Sequence, residues 1–169
     1  MGCSRPLLLQ QLGPTSRDLG VAVDGQVEFS GELHALSVSD VLEQFGQAVL
    51  TDQLEADAYQ AKLEWLESRL LTVVNEMKAG LNQGKLALRR SSEARRQSFL
   101  NFEAMARPML HSMLEHFLDC LECMRQLGQT KEPELLPEAQ ASALEGMQLS
   151  QQYEELCQQV ESELYPDWP

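Results

Sequence analysis

Apolar side chains recur along most of this chain at helical spacing. The clearest stretch runs Ala56, Tyr59, Leu63, Leu66, Leu70, Val73 and Met77, in alternating steps of three and four. Such alternation is the a/d seam of a heptad repeat, which keeps one stripe of a helix turned toward a partner. Leu54, Ala58, Ala61 and Trp65 form a second strip on an adjoining face, and Glu55, Glu64, Glu67 and Glu76 take flanking positions. A helix with two apolar strips can touch two neighbours, so the segment predicts one member of a bundle rather than half of a two-stranded coil.

Other segments follow the same logic. Ser37 or Ser39 can cap a short helix carrying Val38, Val41, Leu42 and Phe45, with Asp40 near the positive end of the helix dipole. Gly46 weakens this helix without ending it. Gly80 and Gly84 either break the heptad helix or lie within one long rod. Beyond them Leu81, Leu88, Phe99 and Phe102 share a face, while Lys85, Arg89, Ser92 and Arg96 share another. Arg107-Pro108 marks an expected boundary, because proline lacks an N–H and disfavours helix at the residue before it. A helix starting at Pro108 would carry Met109, Leu110, Met113, Leu114, Phe117, Leu118, Leu121, Met124 and Leu127, making it the most buried, with Gly128 as its C-cap. The last helix is expected from near Glu138, through Leu144, Met147, Leu149, Tyr153, Leu156, Val160 and Leu164, to a stop at Pro166.

The N-terminal part has a different period. Val21 and Val23 alternate with their neighbours, Asp24-Gly25 follows, and Val27 and Phe29 alternate again, which is a short-range β-hairpin signal. The expected organisation is a flexible leader over 1–18, a β-hairpin over 19–36, a helical bundle over 37–165 and a tail over 166–169. The expected fold is mainly all-α, an antiparallel bundle of three or four long helices with a small N-terminal β-hairpin. The stretch from Phe29 to Leu42 resembles the opening of bacterial PATAN-type regulatory domains, where a strand leads into a Leu-rich helix. The β-rich continuation of that family is replaced here by the heptad helix, so the resemblance carries no function over.

Composition narrows the classes of partner. The 169 residues hold 43% hydrophobic side chains, enough for a core, but only 6% aromatics. The formal net charge of −13 repels nucleic-acid backbone and anionic membrane. Residues 82–107 are an exception, with six basic side chains against two acidic ones. Within them Lys85, Arg89, Arg90, Arg95 and Arg96 form a cluster with no aromatic interleaved before Phe99, which argues for neutralisation by acidic helices over nucleic-acid binding. No apolar run approaches the ~20 residues that span a bilayer. Met1-Gly2-Cys3 invites acylation, yet Pro6 stands where the myristoylation pattern takes Ser or Thr. No secretory signal is visible, so Cys3, Cys120, Cys123 and Cys157 are expected as reduced thiols in a cytoplasmic setting.

Candidate chemistry is sparse. There is no Gly-Lys-Ser/Thr loop and no Gly-x-Ser-x-Gly elbow. His111 and His116 sit five residues apart on one helix and point about 140° away from each other. His116, Cys120 and Cys123 share a face at spacings of four and three, and two thiolates with an imidazole suit zinc, but no fourth ligand is obvious and Cys157 on the last helix would have to supply it. Small buried cysteines beside Phe117 and Leu121 explain the same pattern. Glu115, Asp119 and Glu122 make an acidic stripe, but no Glu-x-x-His occurs, which removes the di-iron bundle pattern.

These observations lead to the expectation of a non-enzymatic helical protein–protein interaction module, an adaptor, assembly subunit or regulator acting through exposed heptad seams. The partner would be another protein or a second copy of the chain, with no nucleic acid, no membrane and no cofactor. Leu63, Leu66, Leu70, Val73 and Met77 are the expected binding residues, with Arg89 and Arg96 orienting the partner. The alternative is a metal- or redox-sensing helical bundle using His116, Cys120 and Cys123.

Overall fold

The computed structural model describes residues 38–88 and 91–164. Their regular structure consists of four helices, α1 (Val38–Leu50), α2 (Ala56–Ala87), α3 (Glu93–Thr130) and α4 (Leu135–Leu164). Mainly-α architecture with three long helices is therefore observed. The expected leader over 1–18, hairpin over 19–36 and tail over 166–169 lie outside the described residues.

Each helix follows from its local sequence, with three departures from expectation. α1 has Asp40 in its first turn and buries Val38, Leu42, Phe45 and Val49 as one stripe. α2 runs through Gly80 and Gly84 as a single rod, because both glycines are buried within a packed face. α3 does not begin at Pro108 but passes through it. Pro108 and Ala104 are both exposed. The proline leaves the Ala104 carbonyl without its helical N–H partner on the exposed face of α3, where water can serve it. Gly128 does not end α3 either; the chain leaves the helix after Thr130, with Lys131 at a φ of 56°. α4 starts at Leu135 rather than near Glu138, and it tolerates Pro137 because first-turn N–H groups have no helical acceptor to lose.

The chain packs as two compact units, and three of its helices contribute to both. Among the described residues, one unit takes 38–69 and 119–144. In it α1 lies antiparallel to α4: Gln140 Nε2 donates to Glu43 Oε2 at 2.8 Å, and Leu136 presses on Gly46. The first turn of α2 meets the end of α3, where the Tyr59 ring covers Gly128 so closely that a side chain there would overlap it. Asp52, at a φ of 55°, and Lys131 form an ion pair between the two turns of this unit.

The other unit takes 70–118 and 145–164. Its core gathers Phe99, Phe102 and Tyr153, with ring centroids 5.6 Å and 6.2 Å apart in successive pairs. Tyr153 donates its hydroxyl hydrogen to the Met77 carbonyl at 3.2 Å, which gives a buried phenol the acceptor it needs. The end of α2 and the start of α3 run antiparallel, joined by Lys85 and Glu103 at 2.9 Å.

Candidate functional site

The expected binding seam is core. Leu63, Leu66, Leu70 and Met77 are all buried by the chain itself, so the expectation that they form an exposed seam is corrected. Val73 is only half-buried, and Val74, wholly buried, takes its place. The physical reason is periodicity. Buried positions on α2 run Tyr59, Leu63, Leu66, Leu70, Val74, Met77 and Leu81, in steps of 4, 3, 4, 4, 3 and 4. That averages close to the 3.6 of a straight helix, whereas a strict heptad drifts about 20° per repeat and needs supercoiling to stay in line. The second strip is divided. Trp65 packs edge-on against Phe45 at 6.3 Å, while Ala58 and Ala61 stay exposed.

Of the two orienting arginines, Arg96 is exposed and pairs with Glu93 on its own helix. Arg89 lies outside the described residues. Two other cations of the basic segment converge on Glu103, whose carboxylate is buried and takes both Lys85 at 2.9 Å and Arg107. Burial alone would raise the Glu103 pKa, but hydrogen bonds from Lys85 and Arg107 outweigh it and hold the group below the usual glutamate range. Neutralisation inside the chain therefore absorbs these cations.

The residues of the alternative reading are separately occupied. His116 Nδ1 faces Glu145 Oε2 at 3.2 Å. Cys120 is fully buried, and desolvation pushes its thiol up to about 12. Cys157 is pushed up to about 12 for the same reason. Cys123 is half-buried and is also raised, by desolvation first and then by Glu138, Asp119 and Glu122. Metal ligation and redox exchange both need thiolate, which these surroundings disfavour. Among the described residues, no three His, Cys, Asp or Glu side chains come together as a metal-holding group.

Two features had no counterpart in the sequence reading. Lys62 is buried and sets its ammonium 5.1 Å from the centroid of Phe45. Leu86, Leu100, Met105, Leu118 and Leu144 remain between 45% and 56% exposed. Leu100 and Leu118 are five helical turns apart and therefore point the same way from α3. Between them on that flank lie Ala104, Arg107 and His111, all exposed, and half-buried Leu114. Leu118 and Leu144 belong to apolar runs that look like core in sequence, and only the packing reveals that they stay outside. No helix among the described residues is long and apolar enough to cross a membrane.

No protein-family profile, curated protein or solved structure matches this chain.

Proposed function

We propose that the chain is a non-enzymatic helical module that works by binding another protein or a second copy of itself, as an adaptor, assembly subunit or regulator. The observation that carries this reading is the flank of α3 bearing Leu100 and Leu118, both about half exposed and in line along one helix. A single exposed leucine is ordinary on a protein surface. Two in line, with Leu114 between them, make a stripe about 27 Å long from which a partner helix gains apolar burial. His111 and the outer face of Arg107, whose charge Glu103 already balances, lie on the same stripe and would set partner choice more than affinity. Buried, reduced Cys120 and Cys157 fit a cytoplasmic setting.

The test is the double substitution Leu100→Glu with Leu118→Glu in the full chain. Sedimentation velocity over a range of concentrations reads self-association, and cross-linking in the native cell followed by mass spectrometry reads other partners. The expected result is loss of the assembly or of the cross-linked partner, with far-UV helicity unchanged. A wild-type chain that stays monomeric, and whose cross-linked set the substitutions leave intact, would overturn the reading.

A further inference from the structure

Helix α1 is docked over two polar groups, the Lys62 ammonium and the Trp65 indole N–H, for which no hydrogen-bond acceptor stands among the described residues. Lys62 is only 8% exposed, and no carboxylate pairs with it among the described residues. Its ammonium rests on the face of Phe45, a residue of α1, at 5.1 Å. The ring face returns part of the hydration the ammonium has lost, but an ammonium has three N–H groups, and a benzene ring offers them no lone pair. One turn along α2, the indole of Trp65 meets the same ring edge-on at 6.3 Å, and its Nε1–H is buried with no acceptor among the described residues. Burial also lowers the Lys62 pKa, the direction expected when hydration is removed without a compensating anion.

The forces on α1 are thus opposed. Leu42, Phe45 and Val49 are buried and pull the helix onto its unit. Gln140, donating to Glu43, adds a tie that is open to water. Against these stand an ammonium that has lost part of its hydration and a buried indole N–H with no acceptor among the described residues, and both gain water if α1 leaves. The helix is also short, 13 residues, and Asp52 in a left-handed conformation follows its end. An isolated helix of that length has little stability of its own.

We propose that α1 is a releasable cover, which detaches while α2, α3 and α4 of its unit stay folded. Its departure bares the ring of Phe45, hydrates Lys62 and Trp65, and uncovers Leu136, which now presses on Gly46. The surface so exposed is built from other residues than the Leu100–Leu118 flank, and the inference stands independently of the function proposed above. The unpaired donors under α1 act as the release spring, and their number sets how often the cover opens.

Native-state hydrogen exchange on the full chain, resolved by residue, tests the proposal. Amides of 42–50 in α1 should exchange about tenfold or more faster than amides of 59–66 in α2 and 121–127 in α3, the signature of sub-global opening. Lys62→Met keeps the length of the side chain and removes the partly desolvated charge. It should slow exchange in α1 about threefold or more, as expected when a partly desolvated charge is removed, and change the other two segments much less. Trp65→Phe removes the orphan N–H while keeping a ring, and should act in the same direction; it decides the matter if Lys62→Met does not fold. Exchange of α1 in step with α2 and α3, or no slowing of α1 in the folded variants, would show that the cover does not open by this device.

Discussion

Tyr59, in the first turn of α2, donates its phenol hydrogen to the carbonyl of Met124 in α3 at 2.7 Å and lays its ring on Gly128. One side chain therefore joins positions 65 residues apart in sequence by both a polar and a packing contact. Any Cβ at Gly128 would occupy the space of the ring. Gly128→Ala should cost about 1–3 kcal/mol by overpacking, which exceeds the gain of about 1 kcal/mol in helix propensity. Tyr59→Phe, which keeps the ring and removes the donor, should cost about 0.5–1.5 kcal/mol. Urea denaturation measures both, and a more stable Gly128→Ala would mean that the ring can move aside.

The stride of α2 can be tested at two adjacent valines. Val74→Ala removes two methyl groups from a fully buried site and should cost roughly 1–3 kcal/mol in lost transfer energy and cavity formation. Val73→Ala, at a half-buried site, should cost less than about 1 kcal/mol. The reverse order would restore the heptad register. Leu66→Glu with Leu70→Glu puts two charges into the core, so the expected outcome is loss of helicity by circular dichroism, not dissociation of a folded chain.

Glu103 should make part of the chain's stability pH-dependent. Its carboxyl is held below the usual value of 4.5, so the folded state binds the proton less readily than the unfolded state does. The contribution is fully present above the ordinary glutamate pKa and is lost as pH falls through the lower, folded value. Glu103→Gln should cost about 1–3 kcal/mol near neutrality, because Lys85 and Arg107 lose a charged acceptor. The difference between wild type and variant, followed by urea midpoints from pH 7 to pH 2, should shrink on the acid side. A constant difference would show that the ion cluster does not stabilise the fold.

The described thiols should differ in reactivity. With Cys3 replaced by Ser, a thiol reagent at pH 8 should label Cys123 first, since it is half-buried. Cys120 and Cys157, with pKa values near 12, should react only as fast as the chain opens. Full labelling of all three in denaturant supplies the reference. Immediate reaction of Cys120 in the native chain would contradict its burial.

Helices were the legible part of this molecule because burial on one face writes a period into the sequence. Where that reading slipped, a local rule lost to tertiary context. Pro108 looked like a boundary, but on the water side of α3 it costs only one internal hydrogen bond. Gly128 looked like a cap, but its use is to admit the Tyr59 ring. Val73 and Val74 differ by one position, and seven-residue counting cannot separate them without knowing whether the helix supercoils. The functional reading was harder still. A seam required by the chain's own core and one offered to a partner have the same pattern, so Leu63 to Met77 carried no label saying which they were. Lys62 and Glu103 were invisible for a related reason: a charged residue on a helix is assumed to face water, and only the arrival of Phe45, or of Lys85 and Arg107, changes that.

The ion pair between Asp52 and Lys131 has a consequence over evolutionary time. Both residues hold left-handed backbone, a conformation that costs a lysine roughly 1 kcal/mol and that glycine adopts freely. Each charge is a reason for the other not to drift to glycine. Once a lineage loses one, selection on its mate relaxes, so in diverging descendants of this chain the two positions should mutate as a couple, 79 residues apart.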